Sequence, residues 1–110
     1  MAMKINKLVI IGAGGHGRVA ADIAEEMKIK QIEFLDTSWP NTNVPIKKNN
    51  NRRTENIWKI IGKPNINTIK NLIIKKYKFF VAISDNDERN RLSELIGEDN
   101  LITLIHPSST

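Results

Sequence analysis

Along this chain, segments with the hydrophobic pattern of buried strands alternate with segments that have the pattern of amphipathic helices. An unbroken apolar run, Leu8 to Ile11, is closed by Gly12, which predicts a strand over residues 6–11 buried on both faces of a parallel sheet. After the glycines, helical spacing predicts a helix over residues 17–28, whose apolar face is Val19, Ile23 and Met27 with Ala20 and Ala24 beside them. A second apolar run ends at Asp36 and completes a predicted βαβ unit with a right-handed crossover.

The rest of the chain repeats this alternation after one long polar interruption. Residues 37–56 are rich in Asn and Pro and lack apolar periodicity, so we predict a long loop, either a functional lid or a tolerated insertion. The later patterns predict a strand over 57–62, a helix over 65–76, a strand over 79–83, a helix from Asp85 to Gly97 and a strand over 101–105. Asp85 and Glu88 are spaced as a reciprocal capping box. This order predicts an α/β fold, a small three-layer domain with a mainly parallel, doubly wound sheet.

Length and composition narrow the class of protein further. With 110 residues, the chain suffices for one compact domain but not for a nucleotide-binding domain plus a separate substrate domain. The absence of Cys excludes thiol catalysis, disulfides and Cys-based metal sites. Neither an export leader nor an apolar stretch of about 18 residues is visible, so we expect a cytoplasmic protein without a membrane span.

The net charge of +5 is unevenly distributed along the chain. Residues 37–78 contain eight Lys and two Arg against Glu55 alone, so the middle of the chain is basic and its ends together are acidic. A basic stretch can bind nucleic acid, attract an anionic ligand or simply form a solvated face. Trp39 and Trp58 are isolated and provide no stacking platform of the kind found in single-strand binders. We therefore expect a solvated face and no nucleic-acid partner.

The strongest chemical signal is the turn Gly12-Ala-Gly14-Gly15-His16-Gly17, which matches G-x-G-x-x-G between a predicted strand and a predicted helix. In this pattern the first glycine permits a tight turn, the second lets a phosphate approach the backbone, and the third allows close helix packing. The N–H groups at the helix start would then face an anion. A glycine turn that binds nothing is the alternative. No metal-ligand spacing and no G-x-S-x-G elbow is present in the sequence.

Two single residues beside this turn are candidates for ligand contact. Asp36 follows the second strand at the position where a carboxylate accepts hydrogen bonds from ribose hydroxyls, although a solvated Asp that opens a loop would look the same. His16 could hydrogen-bond a phosphate or a sugar, or assist as an acid or base, but it lacks a visible catalytic partner, and an exposed turn His is the alternative. Taken alone, these signals favour a dinucleotide ligand. The chain, however, has no room for the second mononucleotide-binding half that a dinucleotide site requires.

A second group of candidates follows the predicted 79–83 strand. Ser84, Asp85, Asn86 and Arg89 lie at the carboxyl edge of the predicted sheet, where open α/β folds bind ligands. Helix capping explains Asp85 and Asn86 without any ligand. Arg89 is the better candidate for a phosphate contact because its guanidinium would lie at a helix start.

These residues make the chain resemble the N-terminal domain of bacterial sugar acetyltransferases, the family of sialic acid O-acetyltransferases and of UDP-amino-sugar N-acetyltransferases for pilin and protein glycosylation. Four segments carry the resemblance in the family's order: residues 7–17 followed by Ala21-Asp22, Phe34-Leu-Asp36, residues 81–86 followed by Arg89, and Thr103-Leu-Ile-His-Pro-Ser108. The resemblance implies that residues 1–105 form a Rossmann-like domain that binds a UDP-sugar, and that 106–110 begin a left-handed β-helix whose remainder is missing. In the family that second domain binds acetyl-CoA, forms the trimer and holds the catalytic His.

The resemblance also implies roles for individual residues. The candidate binding residues are Gly12, Gly14, Gly15, His16 and Gly17 toward the phosphates, Asp36 toward the uridine, and Ile83, Ser84, Asp85, Asn86 and Arg89 around the rest of the pocket. The family usually has Gly where this chain has Ser84. We expect a nucleotide-sugar-binding domain that carries no cofactor and no catalytic residue beyond assistance by His16, and that is inactive alone. A stand-alone NAD- or CoA-type regulatory module is the alternative.

Overall fold

A computed structural model describes residues 5–40, 44–45 and 57–104 of the chain. Its elements are β1 (Lys7–Ile11), α1 (Gly15–Glu26), β2 (Gln31–Leu35), β3 (Val44–Pro45), β4 (Ile57–Trp58), β5 (Ile60–Gly62), α2 (Ile66–Ile74), β6 (Lys78–Val81) and α3 (Asn86–Ile96), followed by a 3-10 turn, Glu98–Asn100. None of the helices among these residues has the length and apolar character needed to cross a membrane.

Four strands form one parallel sheet in the order β5-β2-β1-β6. The first strand, β1, is central, and Leu8, Val9, Ile10 and Ile11 are fully buried, as the unbroken apolar run predicts. Successive strands proceed from β1 outward through β2 and β5, and the chain then returns to place β6 on the other side of β1. The predicted α/β, doubly wound fold is confirmed. Its order reverses between β1 and β6, the point at which such sheets bind ligands.

The two faces of the sheet are covered unequally. Alternate β1 residues point to opposite faces, so Leu8 and Ile10 belong to one hydrophobic core and Val9 and Ile11 to the other. One core is completed by Ala20, Ala21 and Ala24 of α1, and the other by Ile69 and Leu72 of α2 together with Leu92 and Ile96 of α3. One helix therefore covers the first face, whereas two cover the second.

Several predicted boundaries need correction. The helix predicted over 17–28 is Gly15–Glu26 and so begins inside the glycine motif, because Gly15 has no positive φ and its backbone fits a right-handed helix. The strand predicted over 57–62 is interrupted at Lys59 and forms β4 and β5 in different sheets. In place of the predicted strand over 101–105, the described part, 101–104, forms a single parallel bridge from Leu101 to Phe79.

The polar segment 37–56 contains secondary structure that its composition does not predict. Val44 and Pro45 pair antiparallel with Trp58 and Ile57, so part of the predicted loop is a short two-stranded ribbon. The other residues of that segment lie outside the described part of the chain, except for a turn over 37–40. The predicted beginning of a second domain at 106–110 also lies outside it.

The amino edge of the sheet is held together by a polar cluster around Tyr77. The Tyr77 hydroxyl donates to Glu33 Oε1 at 2.6 Å, and Gln31 Nε2 donates to the same Tyr77 oxygen at 3.0 Å. Lys7 Nζ lies 5.3 Å from the centre of the Tyr77 ring. Burial, the hydrogen bond to Glu33 and the negative charge of Glu33 raise the pKa of Tyr77 to about 12. The cluster joins β1, β2 and the start of β6 at the end opposite the glycine turn.

Candidate functional site

Two glycines of the turn after β1 are required by the fold itself. Gly12 has a φ of +106°, and a Cβ there would lie 2.7 Å from the Ala82 carbonyl oxygen. A Cβ at Gly17 would lie 1.9 Å from the Gly12 carbonyl oxygen, so only glycine lets α1 approach the end of β1 this closely. These contacts match the predicted roles of the first and third glycines of the motif.

Packing places no such constraint on the two glycines between them, Gly14 and Gly15. Among the described residues, nothing lies within 4 Å of where a Cβ at Gly14 or Gly15 would stand, and both residues are exposed. Neither has a positive φ. Packing therefore does not require glycine at these two positions, and the backbone there is open to an approaching group.

The start of α1 also lacks a side-chain cap. Its first internal hydrogen bond runs from Arg18 N to Gly14 O, so the N–H groups of Gly15, His16 and Gly17 have no helix carbonyl to bond. Among the described residues no side chain caps this end, and the first turn of α1 contains no acidic residue. By contrast, Asn65 caps α2 at 2.9 Å from Thr68 N. The helix dipole and the three N–H groups make the start of α1 an electropositive surface.

Asp36 joins this turn to the loop after β2. Its Oδ1 accepts from Ala13 N at 2.8 Å, while Oδ2 accepts from Ser38 N at 3.0 Å and from Ser38 Oγ at 2.7 Å. Partial burial would raise the pKa of Asp36, but the hydrogen bonds from Ala13 and Ser38 outweigh it and hold the pKa below its ordinary value of 3.8. Asp36 is therefore an ionised acceptor beside the glycine turn. Ser38 was not singled out from the sequence, although its position two residues after an Asp is typical of a side-chain turn.

The loop after β6 lies against the same turn. Ile83 Cγ1 would lie 3.3 Å from a Cβ at Gly12, which places this predicted residue beside the glycines. Arg89 Nη1 donates to the Ile83 carbonyl oxygen at 3.2 Å, and Arg89 Nη2 donates to Asn86 Oδ1. The guanidinium is thus oriented by its own loop and retains other N–H groups for an anion.

Asp85 caps α3, as one half of the predicted capping box requires. Its Oδ1 accepts from Glu88 N at 3.1 Å. The reciprocal half is wrong: the Glu88 carboxylate instead accepts from Arg91, with the shorter contact at 2.7 Å, because the longer charged side chain is within reach one turn on. Ser84 is exposed at the end of the same loop.

His16 faces a groove on the other side of the turn from Asp36. The groove, of about 290 Å³, is lined mainly by apolar side chains, with His16, Val19, Ile23, Phe80 and Leu104 among its lining residues. The predicted apolar face of α1 is thereby corrected: Val19 is 58% exposed, and the buried face consists of the alanines. Small residues let the helix lie close to the sheet, so the larger Val19 and Ile23 are left at its flank. Phe80 and Leu104 were not identified as site residues, and their apolar pattern alone could not distinguish groove from core.

The described residues bring the predicted positions together around one edge of the sheet. Gly12 to Gly17, Asp36 and Ile83 are linked directly by the contacts above, and Arg89 is linked to them through Ile83. Within residues 5–40, 44–45 and 57–104, no group of three or more His, Asp or Glu side chains could hold a metal ion.

A doubly wound parallel sheet with an uncapped helix start at its switch point defines the class of α/β domain that holds phosphate-containing ligands at this edge. Residues 7–96 match the model of a family described as the PglD N-terminal domain. The match extends over most of the chain, which therefore belongs to the PglD N-terminal domain family. This confirms the resemblance to sugar acetyltransferases.

Solved structures show the same fold. The acetyltransferase domain of PglB from Neisseria gonorrhoeae, in complex with acetyl coenzyme A, is 27% identical with a TM-score of 0.66, over 94% of this chain and 45% of that one. A mutant of perosamine N-acetyltransferase from Caulobacter crescentus, in complex with CoA and GDP-perosamine, is 23% identical with a TM-score of 0.69, over 98% and 46%. At that identity the second likeness shows the fold alone. The chain spans less than half the length of these solved chains.

Proposed function

We propose that this chain binds a nucleoside diphosphate sugar, with the diphosphate at the start of α1. The observation that carries the proposal is the exposed, uncapped first turn of α1 beside the ionised Asp36. A diphosphate supplies the acceptor oxygens that the N–H groups of residues 15–17 lack. Family membership supports the same reading.

The arrangement around the turn gives the ligand a direction. Asp36 lies on the β2 side, where its carboxylate can accept from ribose hydroxyls. His16 and the groove beside Phe80 lie on the β6 side, so the sugar would extend toward them. Arg89, at the start of α3, can add a charge-assisted contact to a phosphate oxygen. His16 would then be a sugar contact that could also assist proton transfer.

We further propose that the whole protein is a sugar acetyltransferase in which acetyl-CoA and the catalytic base belong to a second domain. The solved relatives support this, since one is in complex with acetyl coenzyme A and another with CoA and GDP-perosamine, and both are about twice as long as this chain. The domain described here would bind the acceptor sugar without turning it over. The predicted preference for a UDP-amino-sugar belongs to this proposal, and GDP-sugars are the natural comparison because one relative binds one.

Thermal unfolding in the presence of candidate ligands tests the proposal. A ligand that binds the folded chain alone raises the free energy of unfolding by about 2.7 kcal/mol at a concentration of 100 times its Kd. We expect UDP-amino-sugars, or failing these GDP-amino-sugars, to raise the melting temperature, and equal concentrations of NAD to leave it unchanged. Stabilisation by NAD or CoA and not by nucleotide sugars would favour the dinucleotide module instead. The absence of a shift with every nucleotide would overturn the binding proposal.

A further inference from the structure

The two tryptophans of the chain have very different surroundings. Trp58 is 3% exposed and lies in the α1-side core, with its ring centre 6.2 Å from that of Phe34. Trp39 is 41% exposed and belongs to neither hydrophobic core of the described residues. A large aromatic side chain is therefore left partly exposed to water, in a turn that follows β2.

Trp39 is held next to the candidate site by hydrogen bonds. Its N–H donates to the Asp36 carbonyl oxygen at 3.1 Å. The Asp36 carboxylate accepts from Ala13 in the glycine turn and from Ser38, the residue before Trp39. Trp39 thus lies on the β2 side of the glycine turn. Its own turn is held by both the backbone carbonyl and the side-chain carboxylate of Asp36.

In the proposed orientation of the ligand, its nucleobase would lie near Trp39. With the phosphates at the start of α1 and the ribose at Asp36, the nucleobase extends away from the phosphates, toward the loops after β2 and β5. Trp39 follows β2, and a second exposed apolar residue, Ile66 at 45%, begins α2 just after β5. Since β2 and β5 are neighbouring strands, both residues follow strands at the carboxyl edge toward which the base would extend.

We propose that Trp39 is the side chain on which the nucleobase stacks. The inference rests on the proposed function and adds a binding residue to it. Every base has a π face, so stacking on an indole ring supplies affinity for uracil and guanine alike and does not choose between them. Choice of base would then depend on hydrogen bonds, which stacking does not supply.

Fluorescence of the wild-type chain can observe the contact directly. Acrylamide quenches exposed indoles, so before ligand is added it acts on Trp39 and largely spares the buried Trp58. We expect saturating UDP or GDP, whichever binds by calorimetry, to protect Trp39 from the quencher. Full quenching of Trp39 in a chain that calorimetry shows to be saturated would overturn the stacking proposal and leave the proposed function standing.

Substitutions provide the second measurement. Trp39→Leu should raise the calorimetric Kd about tenfold, whereas Trp39→Phe, which keeps an aromatic ring, should raise it less. Ile74→Ala is the matched control, because Ile74 is exposed at the far end of α2 and should bind as wild type. A Trp39→Leu variant with the wild-type Kd would contradict the proposal. If calorimetry detects no nucleotide binding to the wild-type chain, both the stacking proposal and the proposed function are wrong.

Discussion

At the scale of single residues, Asp36 connects two loops of the binding edge through its charge. Its folded-state pKa is lowered because hydrogen bonds from Ala13 and Ser38 favour the ionised carboxylate more than partial burial disfavours it. A carboxyl group of this kind stabilises the fold fully above its unfolded pKa, and that contribution is lost as the pH falls through the lower folded value.

Replacing Asp36 with Asn tests this contribution. Asn keeps an acceptor for Ala13 N but loses the charge, so at pH 7 we expect the variant to be about 1 kcal/mol less stable than wild type. Below about pH 4, where the unfolded Asp is protonated, the difference should shrink and then disappear. Urea unfolding of both chains between pH 7 and pH 2.5 measures it. A difference that does not change with pH would contradict the charge argument.

The positions of some residues were predictable from the sequence and those of others were not. The spacing from the glycine turn located Asp36 correctly, because the βαβ unit fixes where the second strand ends. The same pattern misplaced Val19 and Ile23, since helical periodicity identifies a stripe but does not say which flank of a helix touches the sheet. Here the alanines make that contact, and only the packed structure reveals it.

At the scale of elements, the start of α1 contains two kinds of glycine. Packing requires glycine at position 17 but not at positions 14 and 15. Gly17→Ala places a methyl group 1.9 Å from a backbone oxygen, so the free energy of unfolding should fall by about 2 kcal/mol or more. Gly14→Ala meets no atom within 4 Å and should change stability by less than about 1 kcal/mol. We expect Gly14→Ala nevertheless to weaken nucleotide-sugar binding at least tenfold, because its methyl group would stand where the proposed phosphate approaches.

Chemical denaturation and calorimetry on the two variants provide the measurements. Wild-type affinity in a folded Gly14→Ala chain would contradict the placement of the phosphates at this turn. Unchanged stability of Gly17→Ala would show that α1 can move away from β1 at little cost.

The elements that the sequence predicted well are those with enough residues to display a period. All three helices and the central strands of the parallel sheet belong to this group. The ribbon of Val44–Pro45 and Ile57–Trp58 does not, because strands of two residues have no periodicity to recognise. The segment that begins at Leu101 is the opposite case. It is an apolar run of strand length, yet in the described residues it forms one bridge. Strand formation also requires a partner strand, which the run alone does not provide.

At the scale of the whole molecule, the two edges of the sheet carry different polar groups, and we expect them to have separate tasks, ligand binding at one edge and stability at the other. The carboxyl edge carries the open turn, Asp36 and Trp39, whereas the amino edge carries the cluster of Tyr77, Glu33 and Gln31. We expect Tyr77→Phe to lower the free energy of unfolding by about 1 to 2 kcal/mol, because the hydrogen bond to the Glu33 carboxylate is lost, and to leave nucleotide-sugar affinity unchanged.

The Tyr77 contribution should also depend on alkaline pH. Since the folded pKa of about 12 lies above the ordinary 10, neutral Tyr77 stabilises the fold fully below pH 10, and this stabilisation is lost as the pH rises toward 12. The stability difference between wild type and Tyr77→Phe should therefore vanish over that interval. A weakened affinity in Tyr77→Phe would argue against separate tasks for the two edges.

The uncapped start of α1 has a consequence for how long the protein survives. Among the described helices α1, α2 and α3, only α1 has no side-chain cap, so the fold forgoes stability that a capping residue would provide. The proposed diphosphate would supply the missing acceptors and so would stabilise the folded chain. If the proposed ligand binds there, the chain without it would unfold more often and would be exposed to proteolysis more often, so the abundance of the protein would follow the supply of that ligand.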